Sequence, residues 1–180
     1  MRPFPVLAVL LLGAQILPVR ADTAMTAAAT RFYTVYGELG RHSGIPDARA
    51  RQRLRAVLSP RLNLLLDQAA AARTRFAAKV KGAAPPLIDG DIFTTDFDGA
   101  TQWQVGPCTG DEKQGARCPV TLSRQGAGAT KAAHWQDILL LARDGQSWKV
   151  DDVLYDGALA SGNTGRLSGL LGMVLAMAPR

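Results

Sequence analysis

Asp137 and Asp152 are the two residues on which acid-base chemistry is most easily built. They lie in two runs that flank Asp144-Gly145, His134 to Arg143 and Gln146 to Tyr155. That dipeptide tolerates left-handed backbone and suits a tight type I′ turn. Pairing across a two-residue loop sets Leu141 against Trp148, Leu139 against Val150, and Asp137 against Asp152. Facing carboxylates repel, so one stays protonated, a cation or arginine bridges them, or a bulge shifts the register. Where neighbouring environments drive two carboxyl pKa values apart, one group serves as acid and the other as base. Tyr33 and Tyr36 are placed to donate hydrogen bonds to such a pair. Tyr33, Tyr36, Asp137 and Asp152 are therefore the expected ligand-binding residues, with a solvated strand end or an arginine-bridged pair as the structural alternative.

Other chemistry finds less to work with. Asp89, Asp91, Asp96 and Asp98 form a second acidic cluster, but neither half of it extends to a twelve-residue calcium loop with its terminal Glu. These acids are expected to cap turns and accept bonds from local amides, and no metal is assigned. His42 and His134 stand in no Ser-His-Asp or His-x-x-x-His context, and there is no G-x-S-x-G, phosphate loop or dinucleotide fingerprint. No catalytic residue and no cofactor is assigned.

The amino terminus reads as an address. Arg2 precedes an apolar core from Pro5 to Leu17, and Val19-Arg20-Ala21 offers a signal-peptidase site, so cleavage after Ala21 is expected. No cysteine stands immediately after that point, so no lipid anchor is indicated, and no apolar run is long enough for a transmembrane anchor. A periplasmic or secreted location follows, and with it a disulfide between Cys108 and Cys118 as the expected fate of the two cysteines. Closing a loop of that size stabilises by roughly 2.5 to 3 kcal/mol in the chain-entropy model. A redox role lacks the C-x-x-C motif.

Charge divides along the chain. Arg31 to Lys81 holds eleven basic residues against Glu38, Asp47 and Asp67, whereas Asp89 to Asp156 holds eleven acids against six bases. The arginines at 49, 51, 53 and 55 have no interleaved aromatics to stack bases, so nucleic acid is not an expected partner and a solvated helix face is the default. An acidic protein partner or an anionic envelope polymer fits the same basic surface.

The periodicity supplies the elements that must position these groups. Met25, Ala28, Phe32, Val35, Tyr36 and Leu39 recur at helical spacing up to Gly40, and Pro46-Asp47 opens a second helix with Ala50, Leu54, Val57 and Leu58 inward. Ser59-Pro60 starts a third, with Leu62, Leu65, Ala69, Ala72, Phe76 and Val80 inward until Gly82. After a linker the period becomes two: Trp103 and Val105, then Cys118, Val120 and Leu122, predict a first hairpin whose neighbouring strands the disulfide would staple. The stretch Arg166 to Met177 is apolar, too short to cross a bilayer, and expected to pack on the domain as a helix. The expected organisation is a leader over 1–21, one α+β domain over 22–160 and an apolar segment over 161–180, with three N-terminal helices covering a curved antiparallel sheet.

Four segments carry a family resemblance: Phe32-Tyr33-x-x-Tyr36, Leu58-Ser59-Pro60-Arg61-Leu62, Asp89-Gly90-Asp91-Ile92-Phe93, and Gln146-Ser147-Trp148-Lys149-Val150-Asp151-Asp152-Val153 following Asp144-Gly145. In this order, over Thr23 to about Leu159, the chain resembles the bacterial YbjP and YqhG envelope family of unknown function, which looks like part of the cystatin-like superfamily typified by nuclear transport factor two. The resemblance implies a cone-shaped fold with a pocket between a long helix and a concave sheet. Two functions are consistent with it: a non-enzymatic envelope protein that binds another protein or a small ligand, which is the preferred expectation, or an isomerase or dehydratase that uses a pocket aspartate. A deep pocket with an acid inside favours the second; a pocket filled by Phe, Trp and Leu favours the first.

Overall fold

The computed structural model describes residues 19–40, 43–126 and 131–178. The expected leader therefore lies outside the described residues up to residue 18, as does His42. The cleavage point expected after Ala21 falls in the first turn of the first helix.

Over the described residues the chain is α+β, with four helices and an open antiparallel sheet of six strands. Helices α1 (Val19–Leu39), α2 (Ala48–Leu54) and α3 (Pro60–Val80) precede strands β1 (Gln102–Val105), β2 (Thr109–Asp111), β3 (Gly115–Arg124), β4 (Ala133–Asp144), β5 (Ser147–Tyr155) and β6 (Gly165–Arg166), and α4 (Leu167–Met177) closes the fold. The sheet order is β1-β3-β4-β5-β6, with β2 pairing the start of β3. Helix α1 contacts β1, β3, β4 and β5 and so crosses the inner face, while α4 packs against α3 and β5. No helix among the described residues is long and apolar enough to cross a membrane.

The helices start where their caps dictate. Asp47 accepts a bond from the Ala50 amide at 2.8 Å, and Ser59 accepts one from the Leu62 amide at 3.0 Å with Pro60 in the first turn. The second helix is shorter than the pattern suggests. It ends at Leu54, and Val57 to Ser59 instead lie along β5, where the Ser59 amide donates to the Val150 carbonyl at 2.8 Å and the Val150 amide to the Val57 carbonyl at 3.0 Å. Satisfying the open edge of β5 outweighs one more helical turn.

Two expectations about the strands need correction. Cys108 and Cys118 form the disulfide, but Cys108 lies just before β2, so the bridge ties β3 to the β1–β2 connection rather than to β1. The second hairpin turns on Gly145-Gln146, because Asp144 pairs with Ser147. Of the two turn residues only Gly145 has positive φ, at 58°, the pattern of a type II′ turn. Asp151 is then an unmatched residue in β5, since Leu141 pairs with Val150 and Leu140 with Asp152. The result places Asp137 opposite Tyr155, so the two aspartates do not face each other.

Candidate functional site

The aromatic stripe of α1 makes the inner wall. Phe32 and Tyr33 are fully buried, Tyr36 is nearly so, and their rings pack with one another and with Phe93 and Trp103 at centroid distances of 5.1 to 6.5 Å. This cluster occupies the space between the helix and the sheet where a ligand would sit.

Tyr36 meets a carboxylate, though not one of those expected. Its hydroxyl donates to Asp91 Oδ2 at 2.8 Å and accepts from the Ala100 amide at 2.8 Å. Burial first, and the Asp91 charge second, push the phenol well above its ordinary pKa, so it stays protonated and donates. Gly99 makes this approach feasible: a Cβ there would stand 2.8 Å from the Tyr36 oxygen and 2.9 Å from Asp91 Oδ2. Tyr33 differs, since its buried hydroxyl has no hydrogen-bond partner among the described residues. Burial, then the Asp137 and Asp91 charges, raise its pKa as well.

Asp137 is fully buried and enclosed by donors. It accepts from the Thr95 amide at 2.8 Å, the Thr95 hydroxyl, the Trp135 indole at 3.0 Å and the Asp156 amide at 3.3 Å. Burial pushes its carboxyl above the usual range, and those donors only partly oppose the rise. Trp135 and Asp137 are two apart on one strand and so share a face, a signal present in the sequence.

Asp152 does a different job. The bulge aims it at the start of α4, where it accepts from the Ser168 amide at 2.9 Å and the Ser168 hydroxyl at 2.5 Å. Arg166, the residue at the N-cap of α4, supplies no side-chain cap, so a strand residue stands in for one. The expected quartet is thus dispersed: Tyr36 with Asp91, Asp137 with Thr95 and Trp135, Asp152 with Ser168, and Tyr33 alone.

The acidic loop is structural in the way its composition suggests. Asp89, Asp91 and Asp96 accept from the amides of Gly90, Phe93 and Asp98, respectively. Beyond these local bonds its stretch 91–96 is buried: Asp96 pairs with Arg124 at 2.9 Å, and Asn163 donates to the carbonyls of Asp91 and Thr94 at 2.7 Å each. Sequence reasoning did not single out Arg124, Thr95, Asn163 or Ser168, because their partners are distant in the chain. The basic helix face is also less free than its composition implies. Arg51 and Arg55 pair with Asp67 at 2.9 and 2.6 Å, and Arg53 pairs with Glu38.

One hollow touches this region, about 240 Å³ at the end of α1, lined by Tyr36, Gly37, Asp91, Ala100 and Trp103 among others. Tyr33, Asp137 and Asp152 do not line it, and its volume falls below the roughly 300 to 1,000 Å³ of ordinary ligand pockets. Compared with family models, with curated proteins and with solved structures, the chain finds no match.

Proposed function

We propose that the protein is an exported, non-enzymatic envelope protein, periplasmic or secreted, of cystatin-like architecture, that works by holding another protein on its surface. The observation that carries this reading is the filled interior: Phe32, Tyr33, Tyr36 and Phe93 occupy the space under the helix. The Cys108–Cys118 disulfide supports the oxidising compartment. Against turnover of a small molecule stands the state of the proposed base, since Asp137 is closed off from solvent and already accepts four hydrogen bonds.

The test is crosslinking and capture from an envelope extract with the oxidised chain beginning at Asp22. A saturable protein partner is expected, retained equally by Tyr36→Phe, which alters the hollow but no outer surface. Loss of the partner in Tyr36→Phe, or retention of only a small molecule that the protein converts, would move the function into the hollow and overturn the surface reading.

A further inference from the structure

One cluster of positive charge that is free to meet a partner lies on the outer face of the sheet. A groove of about 700 Å³ there has Leu140 and Ala142 in its lining and is bordered by Lys113, Arg117, Arg143 and Arg166. Its two acids are already engaged, Glu112 by Arg143 at 3.2 Å and Asp151 by Arg61 at 2.7 Å. Lys113, Arg117 and Arg166 are exposed and have no ion-pair partner among the described residues. Arg143 is held in place over the Trp148 ring, 5.2 Å from its centroid, and donates to the Gln146 carbonyl at 2.8 Å.

Register fixes the spacing of these cations. Arg117 on β3 pairs with Leu140 on β4, and Arg166 on β6 pairs with Leu154 on β5. Three strand spacings of about 4.8 Å, with an offset along the strands, put the two arginines roughly 15 Å apart across the sheet. An extended peptide rises about 3.4 Å per residue, so acidic side chains four residues apart on one face span about the same distance. The residue midway between them faces the same way and would lie over Leu140. No aromatic residue lines the groove, so it lacks the stacking platform that sugars or bases would use.

We propose that this face docks an extended acidic segment of a partner protein, with carboxylates on Arg117 and Arg166 and an apolar side chain between them on Leu140. Planar guanidinium groups donate bidentately to carboxylates, which sets both register and preference over the lysine-bearing peptide. This proposal rests on the surface-binding reading above and adds its place and its partner's chemistry. A second copy of this chain is a poor occupant, because a two-fold contact would set the same arginines near one another.

The experiment titrates the oxidised protein with a labelled Ser-Glu-Ser-Val-Ser-Glu-Ser peptide by fluorescence anisotropy at low and moderate salt. Binding that weakens with salt is expected, with at least a tenfold loss in the double variant Arg117→Glu, Arg166→Glu. The milder double variant Arg117→Gln, Arg166→Gln, with unchanged circular dichroism, should also weaken it and so excludes misfolding as the cause. Equal binding by wild type and variants, no binding, or equal binding of the peptide with Lys for Glu would overturn the proposal. So would preference for a sulfated glycan or an anionic vesicle, or a dimer in sedimentation that the same variants dissolve. If the variants still retain the protein captured from the envelope, the docking site is refuted while the broader surface reading stands; if wild type captures nothing either, both fall.

Discussion

Tyr33 places a hydroxyl in the interior with nothing to bond, and its aromatic ring accounts for what it contributes. Leaving a buried polar group unmet costs about 1 to 3 kcal/mol, so Tyr33→Phe should leave stability unchanged or raise it by about 1 kcal/mol in urea unfolding. A drop of that size would instead reveal a bonded hydroxyl. Asp137 gives the opposite expectation. Asp137→Ala strands the Thr95 and Trp135 donors in the core, and a loss of about 3 kcal/mol or more is expected from the same measurement. The sequence marked both residues as candidates for a pocket, and the strand face of Asp137 is as the period implies, whereas Tyr33 is buried although it lies outside the helical stripe Met25, Ala28, Phe32, Val35, Tyr36 and Leu39. It did not reveal the partners of Asp137, because Thr95 lies in a loop with no period.

At the scale of elements, the unmatched Asp151 decides more than any single helix. Arg61 bonds both of its carboxylate oxygens at 3.0 Å and Ser59 bonds it at 2.5 Å, which anchors the extra residue to the start of α3. Everything beyond it in β5 shifts by one place, and Asp152 turns toward α4. Asp152→Ala should therefore cost about 1 kcal/mol and loosen α4, read as faster amide exchange over Leu167–Met177 with little change in β3. The hairpin itself was legible from Asp144-Gly145 and its flanking runs. Its turn moved by one residue, with Asp144 paired to Ser147, and the register beyond Leu141 was not legible, since a bulge held by residues ninety positions away leaves no mark on local alternation. Replacing Cys108 and Cys118 together by Ser should lower stability by about 2.5 to 3 kcal/mol, and β2 should exchange first because the bridge closes its connection.

For the molecule as a whole, counting charges along the chain misleads about its surface. The second half holds more acids than bases, yet Asp91, Asp96, Asp137 and Asp152 are buried. Arg51, Arg53 and Arg55 are meanwhile spent on Asp67 and Glu38, and the sheet face carries a basic cluster of its own. Burial alone would raise the Asp67 and Asp151 carboxyls, but their hydrogen bonds to arginines, and to Ser59 at Asp151, outweigh it and hold both below the ordinary range. Groups held low stabilise the fold above about pH 3.9, and that contribution is lost as pH falls through their folded values. Asp137, pushed upward by burial, acts in the reverse sense: its contribution is present below about pH 3.9 and lost as pH rises through its folded value. The urea midpoint should thus fall from pH 5 to pH 3, and the fall should be shallower in Asp67→Asn, Asp151→Asn. A steeper fall in that variant would contradict the assignment. The placement of α1 has one more consequence, in time. It ends at Leu39, and the strand at the far side of its bed, β5, begins only at Ser147. A chain threaded from its amino end exposes an oily helix long before the surface that shelters it exists. Such distant closure is expected to place refolding between milliseconds and seconds, an interval in which that helix face stands uncovered.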